Sequence, residues 1–149
     1  MQRRVRASAS HIFSLVADPN MHVAIDGSGM LMAAPDSTPV TAVGDTFVMN
    51  MDREPLGDIP MGKYQVRNTV TTFEPNSELA WTIGGVDSDP LGHIYGYSLS
   101  PVGDNETDIT LYCDWSGFSP ERKDKLTWPV VPVHMLEATL VKLDALATS

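Results

Sequence analysis

The chain has 149 residues and a formal net charge of −9 at neutral pH, with 42% hydrophobic and 19% charged residues. That length suits one domain, 1–149, with a real hydrophobic core, and the acidity argues against a grip on the nucleic-acid backbone or docking on an anionic membrane surface. The single cysteine, Cys113, excludes an internal disulfide framework; with no secretory leader and no apolar run of membrane-spanning length, a cytoplasmic protein is expected.

Residues 2–7 read as a short first strand, on which Arg3, Arg4 and Arg6 are expected to form a solvated face. Ser8 or Ser10 can cap a following helix whose apolar positions, Ile12, Phe13, Leu15 and Val16, keep helical spacing. Asp18-Pro19 stops it, because a residue before proline is pushed out of the α region. A second short helix is expected over 20–25, before the turn Asp26-Gly27-Ser28-Gly29.

Strands then dominate. One is short, over 30–33. Another follows Gly44-Asp45, with Phe47, Met49 and Met51 on one face and Val48, Asn50 and Asp52 on the other. Residues 54–62, with two prolines and two glycines, read as a connection. Further strands are expected over 64–73, 79–83, 93–99 and 108–115. The last two are joined by a hairpin loop over 101–106.

The C-terminal segment from Pro132 to Ala147 is the longest helical pattern. Met135, Leu136, Thr139, Leu143 and Leu146 fall on one stripe with Leu140 at its edge, and Pro132 suits the first turn. Pro129 and Pro132 either kink a longer helix or turn residues 117–132 into a flap over one end of the fold. One strand, two short helices, about six antiparallel strands and a long helix make an α+β pattern, with a curved sheet of about seven strands wrapped around the C-terminal helix.

The chain resembles the helix-grip superfamily that includes START lipid-transfer domains and polyketide cyclase/dehydrase-like proteins, often called SRPBCC. Its flavour is that of the small actinobacterial members. The resemblance rests on Ile12-Phe13-Ser14-Leu15-Val16-Ala17-Asp18-Pro19, Val43-Gly44-Asp45-Thr46-Phe47 and Val70-Thr71-Thr72-Phe73-Glu74-Pro75. Leu79-Ala80-Trp81, Tyr97-Ser98-Leu99-Ser100-Pro101 and Tyr112-Cys113-Asp114-Trp115-Ser116-Gly117 complete it. These motifs mark strand ends and core positions, so they speak to fold more than to any one reaction.

Taken alone, aromatic and methionine stripes on strands are packing residues. The resemblance implies instead that sheet and helix enclose a cavity. By strand alternation its lining would be Phe47, Met49, Met51, Trp81, His93, Tyr95, Tyr97, Cys113 and Trp115, with Met135 and Leu143 from the helix. An apolar space with a few polar tips is the usual make-up of a small-molecule site. The expected partner is a hydrophobic or aromatic small molecule, lipid or polyketide-like, bound without a cofactor by a monomer or weak homodimer.

His93, inward among apolar neighbours, needs a hydrogen-bond partner and is the candidate catalytic residue should the chain catalyse a cyclase or dehydrase type of reaction. His134 is expected on the flank of the helix, and His11 and His22 in structural roles. The four histidines lack the spacing of a metal site. Asp114 points outward by alternation, and Cys113, with no basic neighbour in sequence, reads as an inert thiol.

Overall fold

The computed structural model describes residues 1–149. Strand β1 (Gln2–Val5) is followed by α1 (Ala9–Val16) and α2 (Pro19–Ile25). Strands β2 (Leu31–Ala33), β3 (Thr46–Asp52), β4 (Lys63–Glu74), β5 (Glu78–Gly85), β6 (Pro90–Gly103) and β7 (Glu106–Asp114) come next. A single helical turn, α3 (Pro120–Lys123), precedes the terminal helix α4 (Val133–Ala147). All seven strands form one antiparallel sheet in the order β1-β7-β6-β5-β4-β3-β2. Consecutive strands are neighbours from β2 to β7, and β1 closes the sheet beside the last strand.

Local chemistry explains the two short helices. The Ser8 hydroxyl caps α1 by accepting the His11 N–H at 3.2 Å, and the Asp18 carboxylate caps α2 by accepting the Asn20 N–H at 3.0 Å. Pro19 then occupies a first-turn position where no N–H is needed. Ile12, Phe13 and Val16 turn onto the sheet, and Phe13 meets Phe73 edge-on at 5.3 Å.

The seat of α4 is set by one glycine. A Cβ on Gly27 would lie 2.5 Å from the Met135 carbonyl oxygen and 2.6 Å from the Thr139 nitrogen, so only glycine lets α4 come this close. The Gly27 N–H donates to Thr139 Oγ1 at 2.9 Å, and Lys142 Nζ donates to the Asp26 carbonyl at 2.8 Å. With that flank spent on the turn after α2, the face against the sheet is Leu136, Leu140, Leu143 and Ala147. Leu140 is therefore central, whereas Met135 and Leu146 are only half-buried. Pro132 lies just outside α4 in an extended conformation instead of opening its first turn.

β6 and β7 are longer than the sequence pattern indicates and pair almost to the hairpin tip, where Gly103 faces Glu106. β7 ends at Asp114, whose Oδ1 accepts the Ser116 N–H at 2.9 Å. That local turn breaks the alternation before Trp115. Asp114 is exposed as expected. On β1, Arg4 makes a two-pronged pair with Asp108 and Arg3 reaches Asp144 of α4 at 2.7 Å. The basic face is solvated, with Arg3 and Arg4 paired. The 117–132 segment departs from the helix axis and folds back over the N-terminal end of β6. There Gly92, at φ +107°, lies against the Gly117 backbone, where any side chain would collide.

Candidate ligand cavity

A cavity of about 580 Å³ opens between the inner face of the sheet, the first turns of α4 and the 117–132 segment. Its wall follows the period-two rule strand by strand. β3 contributes Met49 and Met51, and one step beyond the strand, Arg53. β4 contributes Tyr64, Val66 and Asn68; β5, Trp81 and Ile83; β6, His93, Tyr95 and Tyr97. Leu136 and Thr139 come from α4, and Phe118, Leu126 and Val131 from the returning segment.

Of the residues expected to line an enclosed space, Met49, Met51, Trp81, His93, Tyr95 and Tyr97 reach the wall. The other five do not. Phe47 is buried one layer back, in a triangle of rings with His22 at 5.5 Å and Trp81 at 6.3 Å, and of the three only His22 and Trp81 reach the wall. Leu143 is fully buried in the solid core further along α4. Met135 sits over Gly27, and Leu136 takes its place at the wall. Cys113 lies behind Tyr95, and Trp115, released from β7, stacks on Trp128 at 5.6 Å. His134 and His11 are exposed, and His22 is buried, its Nε2–H donating to the Val16 carbonyl at 2.6 Å.

The two ends of the cavity differ. Deep inside, Trp81 and Tyr97 lie 6.0 Å apart, with Leu111, Ile25 and Leu136 around them. Burial holds the Tyr97 hydroxyl protonated far above its usual range, and the nearby Asp26 charge adds to this. At the outer end stand His93 and Arg53. His93 is 8% exposed and sits among Tyr95, Phe118 and Trp128, with ring centroids at 5.9, 5.3 and 5.8 Å. Burial first, and then the Arg53 charge, pull its pKa down to about 4, so the ring is neutral at pH 7.

The Arg53 side chain is 11% exposed and is held by Asp58, through Nε at 2.9 Å and Nη2 at 2.7 Å. That pairing raises the arginine pKa and lowers the carboxylate's. Tyr95 is kept protonated by burial, with the Cys113 thiol and the Val131 backbone beside it; the thiol is itself pushed up to about 11, mainly by burial.

Two buried polar atoms on this wall have no hydrogen-bond partner, Nδ1 of His93 and Oδ1 of Asn68. Asn68 is 5% exposed. Asn68 pairs with Ile83, and Thr82 with Ile94, so Asn68 and His93 stand about two strand spacings apart, about 10 Å. Buried polar groups are nearly always satisfied, and two exceptions on one cavity wall are where a ligand would be expected to bond.

Arg53, Asn68, His22 and Phe118 were not expected at this wall. For Arg53 and Asn68 a signal existed: the alternation Phe47-Met49-Met51 continues to Arg53, and an outward Thr69 and Thr71 turn Asn68 inward. No group of three or more His, Cys, Asp or Glu side chains is placed to hold a metal ion, and no helix is long and apolar enough to cross a membrane.

No family model matches the chain. The uncharacterised protein Rv0088 of Mycobacterium tuberculosis is 30% identical over 111 residues, covering 74% of this chain and 44% of that protein. The chain thus spans less than half the length of this curated relative. Solved structures align over nearly all of it. A START superfamily protein from Mycobacterium smegmatis superposes with a TM-score of 0.60 at 14% identity, covering 99% of this chain and 94% of that one. A protein from Arthrobacter aurescens gives 0.67 at 18% identity, with 99% and 83% covered. A protein from Chromobacterium violaceum gives 0.62 at 14%, with 100% and 95% covered. At such identities the likeness speaks for the fold alone, and together with the sheet order, the two short helices and the enclosed terminal helix it shows a START-like helix-grip fold.

Proposed function

We propose that the chain binds one hydrophobic or aromatic small molecule, lipid or polyketide-like, in the cavity between sheet and α4. The observation that carries this reading is the cavity itself: about 580 Å³, walled mostly by apolar and aromatic side chains, with two unpartnered polar atoms. That volume and make-up suit a single drug-sized ligand. Apolar area buried there would contribute about 25 cal/mol per Å² of binding free energy before the costs of association. The test is native mass spectrometry of the chain purified from its own host. A co-purifying small molecule, lost in a Trp81→Ala variant that still folds, is the expected result. A ligand-free chain that also fails to take up any apolar probe would overturn the reading.

An enzymatic reading, cyclisation or dehydration with His93 moving protons, has one observation in its favour: His93 lines the cavity and its buried Nδ1 has no hydrogen-bond partner. Against it, a pKa of about 4 makes His93 a weak base at neutral pH, and the raised Tyr95 and Tyr97 are poor proton donors. Binding is therefore the better-supported function.

A further inference from the structure

The cavity is polar at one end only, and that polarity has a sign. The chain carries 19 Asp and Glu against 10 Lys and Arg, yet the cavity wall reverses the balance. Its cations are Arg53, Arg122 and Lys125, and its one carboxylate is Asp26. Asp26 is already engaged, accepting the Ser28 and Leu31 N–H groups at 2.9 and 3.0 Å, and its charge bears on Tyr97 at the deep end. The three cations gather at the outer end. Arg53 continues β3 there, close enough to shift His93, and Arg122 and Lys125 rise from the segment whose Phe118 and Trp128 pack on that same histidine. Arg122 and Lys125 are exposed and make no ion pair. The half-open rim beside them includes Ile59 and Met61, 37% and 49% exposed, which places the mouth at this end.

We infer that the ligand is a single-chain or polycyclic amphiphile with one anionic group, its apolar body against Trp81 and its charged head at the mouth. The head would sit between Arg53 and the two free cations. An anion at this half-open mouth is stabilised by charge-assisted hydrogen bonds from the free edge of a guanidinium already oriented by Asp58. Neutral His93 stands beside the head without adding charge, and Asn68 stands about 10 Å along the wall beside the body; a turn of either side chain brings its buried, unpartnered Nδ1 or Oδ1 to the ligand. This inference rests on the cavity being a ligand site, so its test separates the two.

The probes are a matched pair, 1-anilinonaphthalene-8-sulfonate and the uncharged N-phenyl-1-naphthylamine, titrated against the intact chain by their own emission. The expected result is that the sulfonate binds at least about tenfold more tightly, the scale of a hydrogen-bonded charge contact. The ratio should fall about tenfold in Arg53→Met/Asp58→Asn, which removes the cation without stranding its carboxylate. It should fall about threefold in Arg122→Ala/Lys125→Ala, whose exposed residues leave folding untouched, and that smaller loss should vanish in 1 M salt. Displacement of the sulfonate by hexadecanoate or by hexadecyl phosphate, but not by 1-hexadecanol, supports the inference and tells a carboxylate head from a phosphate one. Equal binding of both probes, or a ratio unchanged in both variants, overturns the anionic head while leaving the cavity a ligand site. Failure of both probes to bind removes the ligand site and the anionic head together.

Discussion

The two halves of the space beneath the sheet are built from the same alternating strands and the same helix, yet one is solid and the other hollow. Toward the C-terminus of α4, Leu140 and Leu143 meet Val5, Ile109, Ile12 and Val16, all between 0% and 2% exposed. Toward its N-terminus, Leu136 and Thr139 face open space. The difference lies in what covers the sheet. α1 packs across the first half, whereas over the second the first turns of α4 and the end of α2 are completed by the irregular 117–132 segment, which cannot lay down a continuous apolar face. Helix-on-sheet packing fills space; a loop carried over the sheet on a few aromatic contacts spans it.

The largest effect should come from the solid half. Leu143→Ala leaves a void that its neighbours cannot close and should cost about 3 to 4 kcal/mol, whereas Met51→Ala at the half-buried cavity wall should cost about 1 kcal/mol or less. Denaturant unfolding of both variants checks this. Similar losses would mean that the hollow half is as tightly packed as the core.

The next effect is a pH dependence confined to the hollow half. His93 is held at about 4 against 6.5 for a free histidine. The unfolded chain therefore takes up a proton as pH falls below 6.5, while the folded chain resists until about pH 4. The stability contributed by neutral His93 is lost on acidification across that window, and its share of the loss ends there. At about 1.4 kcal/mol per pH unit the loss amounts to about 3 kcal/mol. Buried His22, also lowered, acts in the same direction. His93→Phe should flatten much of the slope between pH 7 and pH 4; an unchanged slope would show that the mouth is wetter than its burial implies.

A smaller change, with opposite signs in two assays, is expected of Asn68→Leu. Removing a buried acceptor that lacks a partner should raise stability by about 1 kcal/mol. The same substitution should weaken retention of a hydroxylated ligand. A loss in both assays would mean that Asn68 holds the fold together rather than serving the cavity.

The solid half was legible in the sequence and the hollow half only partly so. Alternation and caps are local signals, and they yielded the strands, the two short helices and the inward faces of β3 and β6. Nothing local says how far along a strand the covering helix reaches, so Leu143 and Phe47 were assigned to a space that begins elsewhere. Trp115 leaves the alternation because the carboxylate of its own neighbour, Asp114, ends the strand one residue early. Arg53 is hidden for a similar reason: it is the next inward position after the apolar run Phe47-Met49-Met51, and it carries a charge. Glycine at 27, read as a turn, also determines which stripe of α4 faces the sheet, a tertiary constraint invisible from helical spacing.

The stack of Trp115 on Trp128 has an optical consequence. Two indoles 5.6 Å apart and nearly parallel couple their transition dipoles, so the strap over the mouth carries a chromophore pair of its own. Displacing the strap would separate that pair, while the third tryptophan, Trp81, reports from the cavity floor. Near-ultraviolet circular dichroism of the unlabelled chain can therefore distinguish a moving strap from a filling cavity, by which of the two signals changes first.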